Sequence, residues 1–473
     1  RTHLEAGRTS RGAIWIFLGV PLLTLLAAFS KENGLLAPLL CGVVEWAWFR
    51  PAAGMRRPRI VRLFLLWIVA APIFAGLVLL LLQPELFLAG YSNRHFNLVE
   101  RLLTQSRVLF DYLGKLLWPG RFSLFRDDYA ISRSLVSPPI TGLALLGWLA
   151  LVAAAIRFRH RIPLFSGGLA LFLAAHAMES SVFPLMIYFE HRNYLPSLGI
   201  FLAVAGLVMP AWQHLKSKMD HPGIVATAGL AGLFCVLVFA THGRALVWQT
   251  KELIVLQSLQ NYPDSRFIRT EMAKLEMNRP IRDASAAREY LKPLLDSDRA
   301  LVRMIGELTI LKIDCISGAA VRTETLDQLF GNIPATLEAD LVMSQRGLIE
   351  MSKNSPCAGL EPEVVADYLA AWLDQLQQPE RFREKARLRL EIAKLYQQIG
   401  RYQDALAQAR LSQVSGLPPV EAGLLIASLY TGLKDFPAAA RALDEIKEEV
   451  DPGDEQMNKR LEDIRNTIQR EST

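Results

Sequence analysis

The sequence predicts an all-α protein with two parts, a polytopic membrane domain over residues 1–243 and a soluble helical-repeat domain over residues 244–473. Long apolar runs occur only in the first part. That part carries 22 Lys and Arg against 11 Asp and Glu, whereas the second part carries 30 against 35. The overall charge of +6 therefore describes neither part. It reflects basic loops beside a membrane, so nucleic-acid binding is not expected.

Seven apolar segments are candidates to cross a membrane, since a helix needs about 20 apolar residues to span the hydrocarbon core. The weakest candidate is the second, because it is short and contains Glu45. The seven segments are residues 13–30, 35–49, 60–83, 139–156, 163–178, 195–214 and 223–241.

The Lys and Arg residues of the short loops predict the orientation of these spans, because such residues are enriched on the cytoplasmic side. The loop 84–137 and the whole of 244–473 then lie on the other side. We therefore expect a multi-pass protein of a bacterial inner membrane with a periplasmic C-terminal domain. The basic residues fall at every second connection, namely at Arg1, Arg8, Arg11, Arg50, Arg56, Arg57, Arg59, Arg62, Arg157, Arg159, Arg161, Lys216 and Lys218.

The outer loop 84–137 contains apolar residues at near-helical spacing over 99–117, which predicts a helix lying along the membrane interface. Basic residues around it would attract lipid phosphate or anchor the helix to anionic head groups. The pair Asp127-Asp128 could hold a divalent metal ion, although adjacent acids in a loop are usually solvated. The basic residues are Arg94, His95, Arg101, Arg107, Lys115, Arg121 and Arg126.

Polar motifs lie at the predicted outer ends of the spans. Ionisable groups at membrane depth are costly, so together they indicate a polar cavity or a substrate path. The alternative is that Lys31, Glu190 and Arg192 are solvated charges at helix ends. The motifs are Ser30-Lys31-Glu32-Asn33-Gly34, Glu179-Ser180-Ser181 and Glu190-His191-Arg192-Asn193.

Four cysteines are too few for a disulfide framework. Cys41 and Cys235 lie in apolar segments and are expected to be small buried hydrophobes. Cys315 and Cys357 lie in the polar part, where an oxidising periplasm would allow one bridge between them. Both alternatives, bridged and free, stand, because the sequence does not bring two Cα atoms together.

A repeat is visible near the C-terminus. Four small or aromatic residues recur 34 residues later, which is the length of a TPR repeat. The clearest repeats are 386–419 and 420–453, and Gly400 and Lys434 fall at their inner turns. A TPR-like α-solenoid presents a concave surface to a protein partner. The recurring residues are Ala393, Tyr396, Tyr402 and Ala405, followed by Ala427, Tyr430, Phe436 and Ala439.

This arrangement resembles the GT-C class of glycosyltransferases that use lipid-linked sugars and carry C-terminal TPR repeats. The transmembrane-and-TPR O-mannosyltransferases and bacterial relatives are examples. The resemblance covers roughly residues 12–275 and the repeats. It rests on the order of spans and repeats, on Arg244 and Trp248, and on three motifs. These are Ser30-Lys31-Glu32-Asn33-Gly34, Glu190-His191-Arg192-Asn193-Tyr194-Leu195-Pro196-Ser197-Leu198-Gly199 and Asn261-Tyr262-Pro263-Asp264-Ser265-Arg266.

The resemblance implies that a polyprenyl-phosphate sugar is the donor and that a protein or glycan is the acceptor, on the non-cytoplasmic face. Lys31, His191 and Arg192 would stabilise the leaving phosphate, and Glu32 and Glu190 would orient these cations. The family's catalytic acid is expected upstream of Arg1. We therefore expect an N-terminally truncated fragment, and we assign no catalytic residue and no metal ligand.

Two other classes of function remain as alternatives. A non-enzymatic membrane-anchored TPR scaffold for an envelope or pilus assembly would need only one span. A secondary transporter would place polar groups near the middle of the membrane. Here the polar motifs lie at span ends and the spans are many, which favours the transferase.

Overall fold

The structure of the chain is a computed structural model, and within it every regular element of the described residues is a helix. The all-α prediction is therefore confirmed. The chain forms two compact units, Arg1–Ser265 and Arg266–Thr473. The described residues are 8–49, 57–118, 120, 126–321, 339–354, 357–376, 383–413, 419–447, 449–450 and 455–471, with the single residues 4 and 329.

The helices of the first unit are numbered here in chain order. Short helical turns at Glu32–Leu36, Glu85–Leu88, Ala89–Asn93 and Glu190–Asn193 lie between them. The helices are α1 (Thr9–Ser30), α2 (Ala37–Ala47), α3 (Arg59–Leu82), α4 (Leu98–Leu117), α5 (Ile140–Phe158), α6 (Pro163–Ala175), α7 (Tyr194–Lys216), α8 (Pro222–Val247) and α9 (Lys251–Asn261). The predicted boundary after residue 243 thus precedes one further helix, α9, that belongs to the first unit.

Five helices among the described residues are long and apolar enough to cross a membrane: α1, α3, α5, α8, and α7 together with its preceding turn. Each coincides with a predicted span. The predicted spans 35–49 and 163–178 correspond to the shorter helices α2, of 11 residues, and α6, of 13 residues. At 1.5 Å per residue they are about 16 Å and about 20 Å long. The structure is thus compatible with a multi-pass membrane protein.

Much of the surface of these helices is apolar and uncovered by protein. The helix α8 has no buried residue, and Phe29, Leu81 and Phe239 expose four-fifths of their side chains or more. Contiguous apolar surface of this extent is rare on soluble monomers. A hydrocarbon environment would cover it.

The helices α6 and α7 pack with their backbones in close approach. A Cβ atom added at Gly168 would lie 2.5 Å from Ala203 N, and one added at Gly199 would lie 2.5 Å from Gly168 O. Further along α7, Gly206 meets Phe165 N at the same distance. Small residues at such contacts are typical of helix pairs in membranes, where van der Waals packing drives association.

The helix α4 confirms the helix predicted over 99–117 and begins with a capping box formed by Asn97 and Glu100. One of its faces holds the segment that leads from α6 to α7. Arg101 is fully buried and donates to Glu179 O at 2.5 Å, to Ser181 O at 3.1 Å and to Leu185 O. The expectation that Arg101 presents its charge to lipid is therefore wrong, because backbone carbonyls surround its guanidinium.

Two other α4 side chains hold the same segment. Gln105 Nε2 donates to Ile187 O at 2.8 Å, and the Tyr112 hydroxyl accepts from Phe189 N at 2.8 Å. Together with Arg101 they form one stripe of the helix, because they are spaced by four and seven residues. A segment without regular secondary structure thus obtains its hydrogen-bond partners from α4.

The second unit continues with a series of helices. They are α10 (Arg266–Met277), α11 (Ala284–Leu295), α12 (Ala300–Ile316), α13 (Ala339–Asn354), α14 (Pro362–Gln375), α15 (Arg383–Gln398), α16 (Tyr402–Gln413), α17 (Pro419–Gly432), α18 (Phe436–Ile446) and α19 (Glu455–Glu471).

Two helical hairpins, α15–α16 and α17–α18, occupy the described part of the repeats predicted at 386–419 and 420–453. Their inner turns are built alike: Arg401 N donates to Tyr396 O and Asp435 N donates to Tyr430 O, both at 2.9 Å. The turn residue Gly400 has φ +79° and its counterpart Lys434 has φ +58°.

The small residues of the repeat lie where the helices of each hairpin meet. Ala393, Ala405, Ala427 and Ala439 are all fully buried. Residues 414–418, 448 and 451–453 of the predicted repeats lie outside the described residues.

The cysteines fall into two groups. Cys315 and Cys357 form a disulfide bond in the second unit with their Cα atoms 5.3 Å apart, within the range of about 4.4–6.8 Å that disulfides span. Cys41 and Cys235 are exposed on the apolar helices α2 and α8. The expectation that these two are buried is therefore wrong, because their helix faces are not covered by protein.

The close contact between α6 and α7 predicts that the same substitution has different effects at two glycines. Gly199→Ala should lower the free energy of unfolding by about 1–3 kcal/mol, because its Cβ would overlap Gly168 O. Gly229→Ala on α8, where nothing lies within 4 Å, should be neutral or slightly stabilising. Thermal unfolding in detergent micelles measures both. Equal melting temperatures for the two variants would contradict this packing.

Candidate functional site

Two of the polar motifs meet in one pocket of about 270 Å³. Lys31 comes from the turn after α1, and His191 and Arg192 come from the turn before α7. The three basic residues predicted from sequence as donor-site residues therefore line the same cavity. Its other lining residues are Asn33, Gly34, Ala37, Leu40, Tyr194 and Leu195.

A buried carboxylate joins the two turns. Glu179 Oε1 accepts a hydrogen bond from Asn33 Nδ2 at 2.7 Å, and Glu179 Oε2 forms an ion pair with Arg192 Nε at 3.1 Å. The side chains of Glu179 and Arg192 are 9% and 8% exposed, so solvent screens this pair little. Glu179 therefore fixes the distance between the turn after α1 and the turn before α7.

Each turn is also held locally. A Cβ atom added at Gly34 would lie 2.5 Å from Ala28 N, so only glycine allows this turn to fold back against the end of α1. Arg192 Nη1 donates to Met186 O at 2.6 Å, which anchors the second turn to the segment before it. Arg192 is thus partly a structural residue, with two of its nitrogens engaged inside the protein.

Arg101 contacts the segment between α6 and α7, which includes Glu179. Its three carbonyl contacts begin at Glu179 itself. Burial lowers the pKa of Arg101 to about 10, which leaves the guanidinium charged at neutral pH. A charged donor to three carbonyls binds more strongly than a neutral one. Arg101 therefore stabilises the backbone on which Glu179 is mounted.

Glu190 lies in a different cluster from the pocket. It pairs with Lys115, whose Nζ also donates to the Tyr262 hydroxyl at 2.7 Å. The Lys115 ammonium lies 5.2 Å from the ring centres of Tyr188 and Tyr262. We call Lys115, Arg126, Tyr129, Tyr188 and Tyr262 the cation–aromatic cluster.

Arg126 is the second cation of this cluster. Its guanidinium carbon lies 4.5 Å from the ring centre of Tyr262 and 4.8 Å from that of Tyr129. Burial raises the pKa of Tyr129 to about 12, so the phenol stays neutral at physiological pH. Cations stacked on neutral rings contribute up to about 2 kcal/mol when desolvated. The cluster thus ties α9 and the outer loop to Glu190.

The pair Asp127-Asp128 is engaged with protein partners. Asp128 forms an ion pair with Arg126 at 3.0 Å, and Asp127 accepts a hydrogen bond from the Ser265 hydroxyl. Across the described residues, no group of three or more His, Cys, Asp or Glu side chains lies close enough together to hold a metal ion.

The pocket combines basic side chains with a largely apolar lining. Lys31 and His191 are exposed at its wall, and the lining contributes no carboxylate from the described residues. Glu32 is exposed beside the pocket and is not part of its lining. Cationic donors on one side of a cavity favour charge that develops on a bound oxygen.

Three residues of the site were not assigned to it from the sequence: Glu179, Asn33 and Arg101. Glu179 was visible as a polar residue at a span end, and Asn33 lay inside a quoted motif. Their pairing was not visible, because it joins positions 146 residues apart. The burial of Arg101 could not be predicted, since nothing in the sequence distinguishes a buried arginine from one at the surface.

Comparisons with known protein families, with curated proteins and with solved structures find no match to this chain.

The ion pair of Glu179 predicts a large cost when one partner alone is changed. Glu179→Gln keeps the size of the side chain but leaves Arg192 buried without its counter-charge, which costs about 3–5 kcal/mol. Thermal unfolding in detergent should show this loss, and Glu32→Gln at an exposed position should show none. The double variant Glu179→Gln with Arg192→Met should recover part of the loss. An unfolding midpoint of Glu179→Gln equal to that of the wild type would refute the pairing.

Proposed function

We propose that this protein is a membrane glycosyltransferase that moves a sugar from a polyprenyl-phosphate donor to a protein or glycan acceptor on the non-cytoplasmic face. The observation that carries the proposal is the convergence of Lys31, His191 and Arg192 in one pocket at the ends of apolar helices. A lipid phosphate at the membrane surface meets cations there, while its polyprenyl chain remains in the hydrocarbon. A membrane glycosyltransferase is also the class of enzyme that the motifs resemble, namely the GT-C enzymes.

The proposed reaction is a displacement at the anomeric carbon. The acceptor hydroxyl forms the new C–O bond, and the bond from the anomeric carbon to the phosphate oxygen breaks, so the phosphate leaves with the electron pair. Lys31 and His191 would donate to the phosphate as this charge develops. Arg192, anchored through Glu179 and Met186 O, would offer its remaining N–H groups.

The hydroxyl proton requires a base, and no residue is assigned to that role. Glu179 and Glu190 each already face a cation, Arg192 and Lys115 respectively. Both carboxylates are therefore engaged with partners inside the protein.

The proposed topology has seven spans in a bacterial inner membrane. The helix α6 is short, but protein surrounds it: Gly168, Leu169 and Phe172 are buried within the bundle. A membrane-crossing helix that is surrounded by other helices contacts little lipid, so it can be shorter than a helix that faces the hydrocarbon core. In this topology the basic loops are cytoplasmic, and the second unit is a TPR-like periplasmic domain. The oxidising periplasm would also maintain the Cys315–Cys357 bond.

The alternative function is a membrane-anchored TPR scaffold for an envelope or pilus assembly. The two alike hairpins α15–α16 and α17–α18 favour a role in protein binding. In the favoured proposal these hairpins dock the acceptor or a protein partner. A scaffold has no need of the cationic pocket, which is why the transferase is preferred.

Removal of either exposed basic side chain from the pocket should reduce sugar transfer. Loss of one donor to a developing oxyanion typically costs about 10²–10³ in rate, so Lys31→Gln and His191→Ala should each fall in that range. Membranes containing the full-length protein, supplied with radiolabelled polyprenyl-phosphate hexoses, provide the assay. Lys218→Gln, at an exposed position outside the pocket, is the matched control. Wild-type transfer by both pocket variants would exclude this pocket as the donor site.

The topology has a separate test. Alkaline phosphatase is active only after export, so a fusion after Trp248 should be active in bacteria. A fusion after Lys218, in the connection between α7 and α8, should be inactive. The reverse pattern would invert the proposed orientation, and activity at both sites would remove α8 as a crossing helix.

A further inference from the structure

The second unit contains a groove that the sugar-transfer proposal does not use. It lies between α10, α12 and α13 and encloses about 450 Å³, within the range of about 300–1,000 Å³ that is usual for ligand sites. It is separate from the repeat hairpins α15–α18. We call it the α10–α12–α13 groove.

Bulky apolar side chains stand exposed along this groove. Phe267 on α10, Ile316 on α12 and Met343 on α13 are 44%, 49% and 66% exposed. These three side chains come from three helices but line the same groove, so they form one apolar patch. A patch of this kind, lined by polar groups, marks an interaction site.

The groove is also cationic. Lys274 and Lys312 both line it, and its lining includes no Asp or Glu among the described residues. Lys274 is balanced by Glu271 at 2.7 Å. The Lys312 ammonium donates to Ser344 O at 3.1 Å, which uses one of its three N–H groups. Burial and the charge of Lys274 lower the pKa of Lys312 to about 8, and the negative charge of a bound carboxylate would stabilise the ammonium form.

We propose that the α10–α12–α13 groove binds a short peptide segment of a partner protein in which an Asp or Glu lies beside bulky apolar residues. The carboxylate would meet Lys312 and Lys274. The apolar side chains would cover Phe267 and Met343. The proposal is independent of sugar transfer, since it holds equally for an enzyme and for a scaffold.

The polar lining favours a peptide over a lipid chain. The hydroxyls of Thr270 and Thr309 donate within their own helices, to Phe267 O at 2.8 Å and to Ile305 O at 2.7 Å. Each hydroxyl retains lone pairs that can accept from a peptide N–H. A lipid acyl chain would cover these oxygens without offering a donor, which costs free energy.

Selection from a random dodecapeptide library displayed on phage tests the proposal with the full chain in lipid nanodiscs. The wild type should enrich sequences in which Asp or Glu neighbours Leu, Ile, Met or Phe. Lys312→Met keeps the length of the side chain but removes its charge, so the acidic enrichment should disappear. Lys292→Gln, at an exposed position of α11 outside the groove, should leave the enrichment unchanged.

Fluorescence anisotropy with the most enriched peptide then measures the effect. Lys312→Met should weaken binding at least tenfold, and raising the salt concentration should weaken wild-type binding. Met343→Ser changes only an exposed side chain, so it serves if Lys312→Met unfolds, and it should also weaken binding. Absence of acidic enrichment, or equal binding by the wild type and both groove variants, would overturn the proposal. Displacement of the peptide by phosphatidylglycerol vesicles in wild-type protein but not in Lys312→Met would assign the groove to lipid and overturn it as well.

Discussion

The arrangement of the first unit depends on one buried carboxylate. Glu179 sits between Asn33 and Arg192, and these two belong to turns that are far apart in the chain. A buried charge is tolerated only when a partner and hydrogen bonds replace its water. Glu179 meets that requirement through its hydrogen bond from Asn33 and its ion pair with Arg192. Arg192, which neutralises Glu179, also lines the pocket.

The irregular segment from Glu179 to Phe189 poses the second physical problem. Backbone groups near a membrane lose water, so each N–H and C=O needs a partner inside the protein. Three side chains of α4, Arg101, Gln105 and Tyr112, supply these partners. The helix α4 therefore supports the segment that leads to the motif before α7. These three polar side chains could be taken for surface residues in the sequence, but in the structure they form hydrogen bonds with buried backbone groups.

Features encoded by local pattern were predictable, and features encoded by long-range pairing were not. Apolar length foretold the five membrane-length helices, and the 34-residue period foretold the turns at Gly400 and Lys434. The sequence did not reveal that Glu190 pairs with Lys115 whereas Arg192 pairs with Glu179 and lines the pocket. Glu190 and Arg192 stand in one 3₁₀ turn, in which side chains two positions apart still point about 120° away from each other, so neighbours in one motif enter different clusters.

The glycine contacts between α6 and α7 determine where the pocket can widen. With Gly168 and Gly199 in backbone contact, neither helix can slide or rotate past the other without collision. The far end of α2 is also fixed, because Trp48 and Ala47 pack against Gly167. By contrast, only Gly12 and Thr24 are buried along the described length of α1. The wall that carries Arg192 is therefore the more constrained one, and a ligand larger than the cavity would be accommodated by movement of α1 with Lys31.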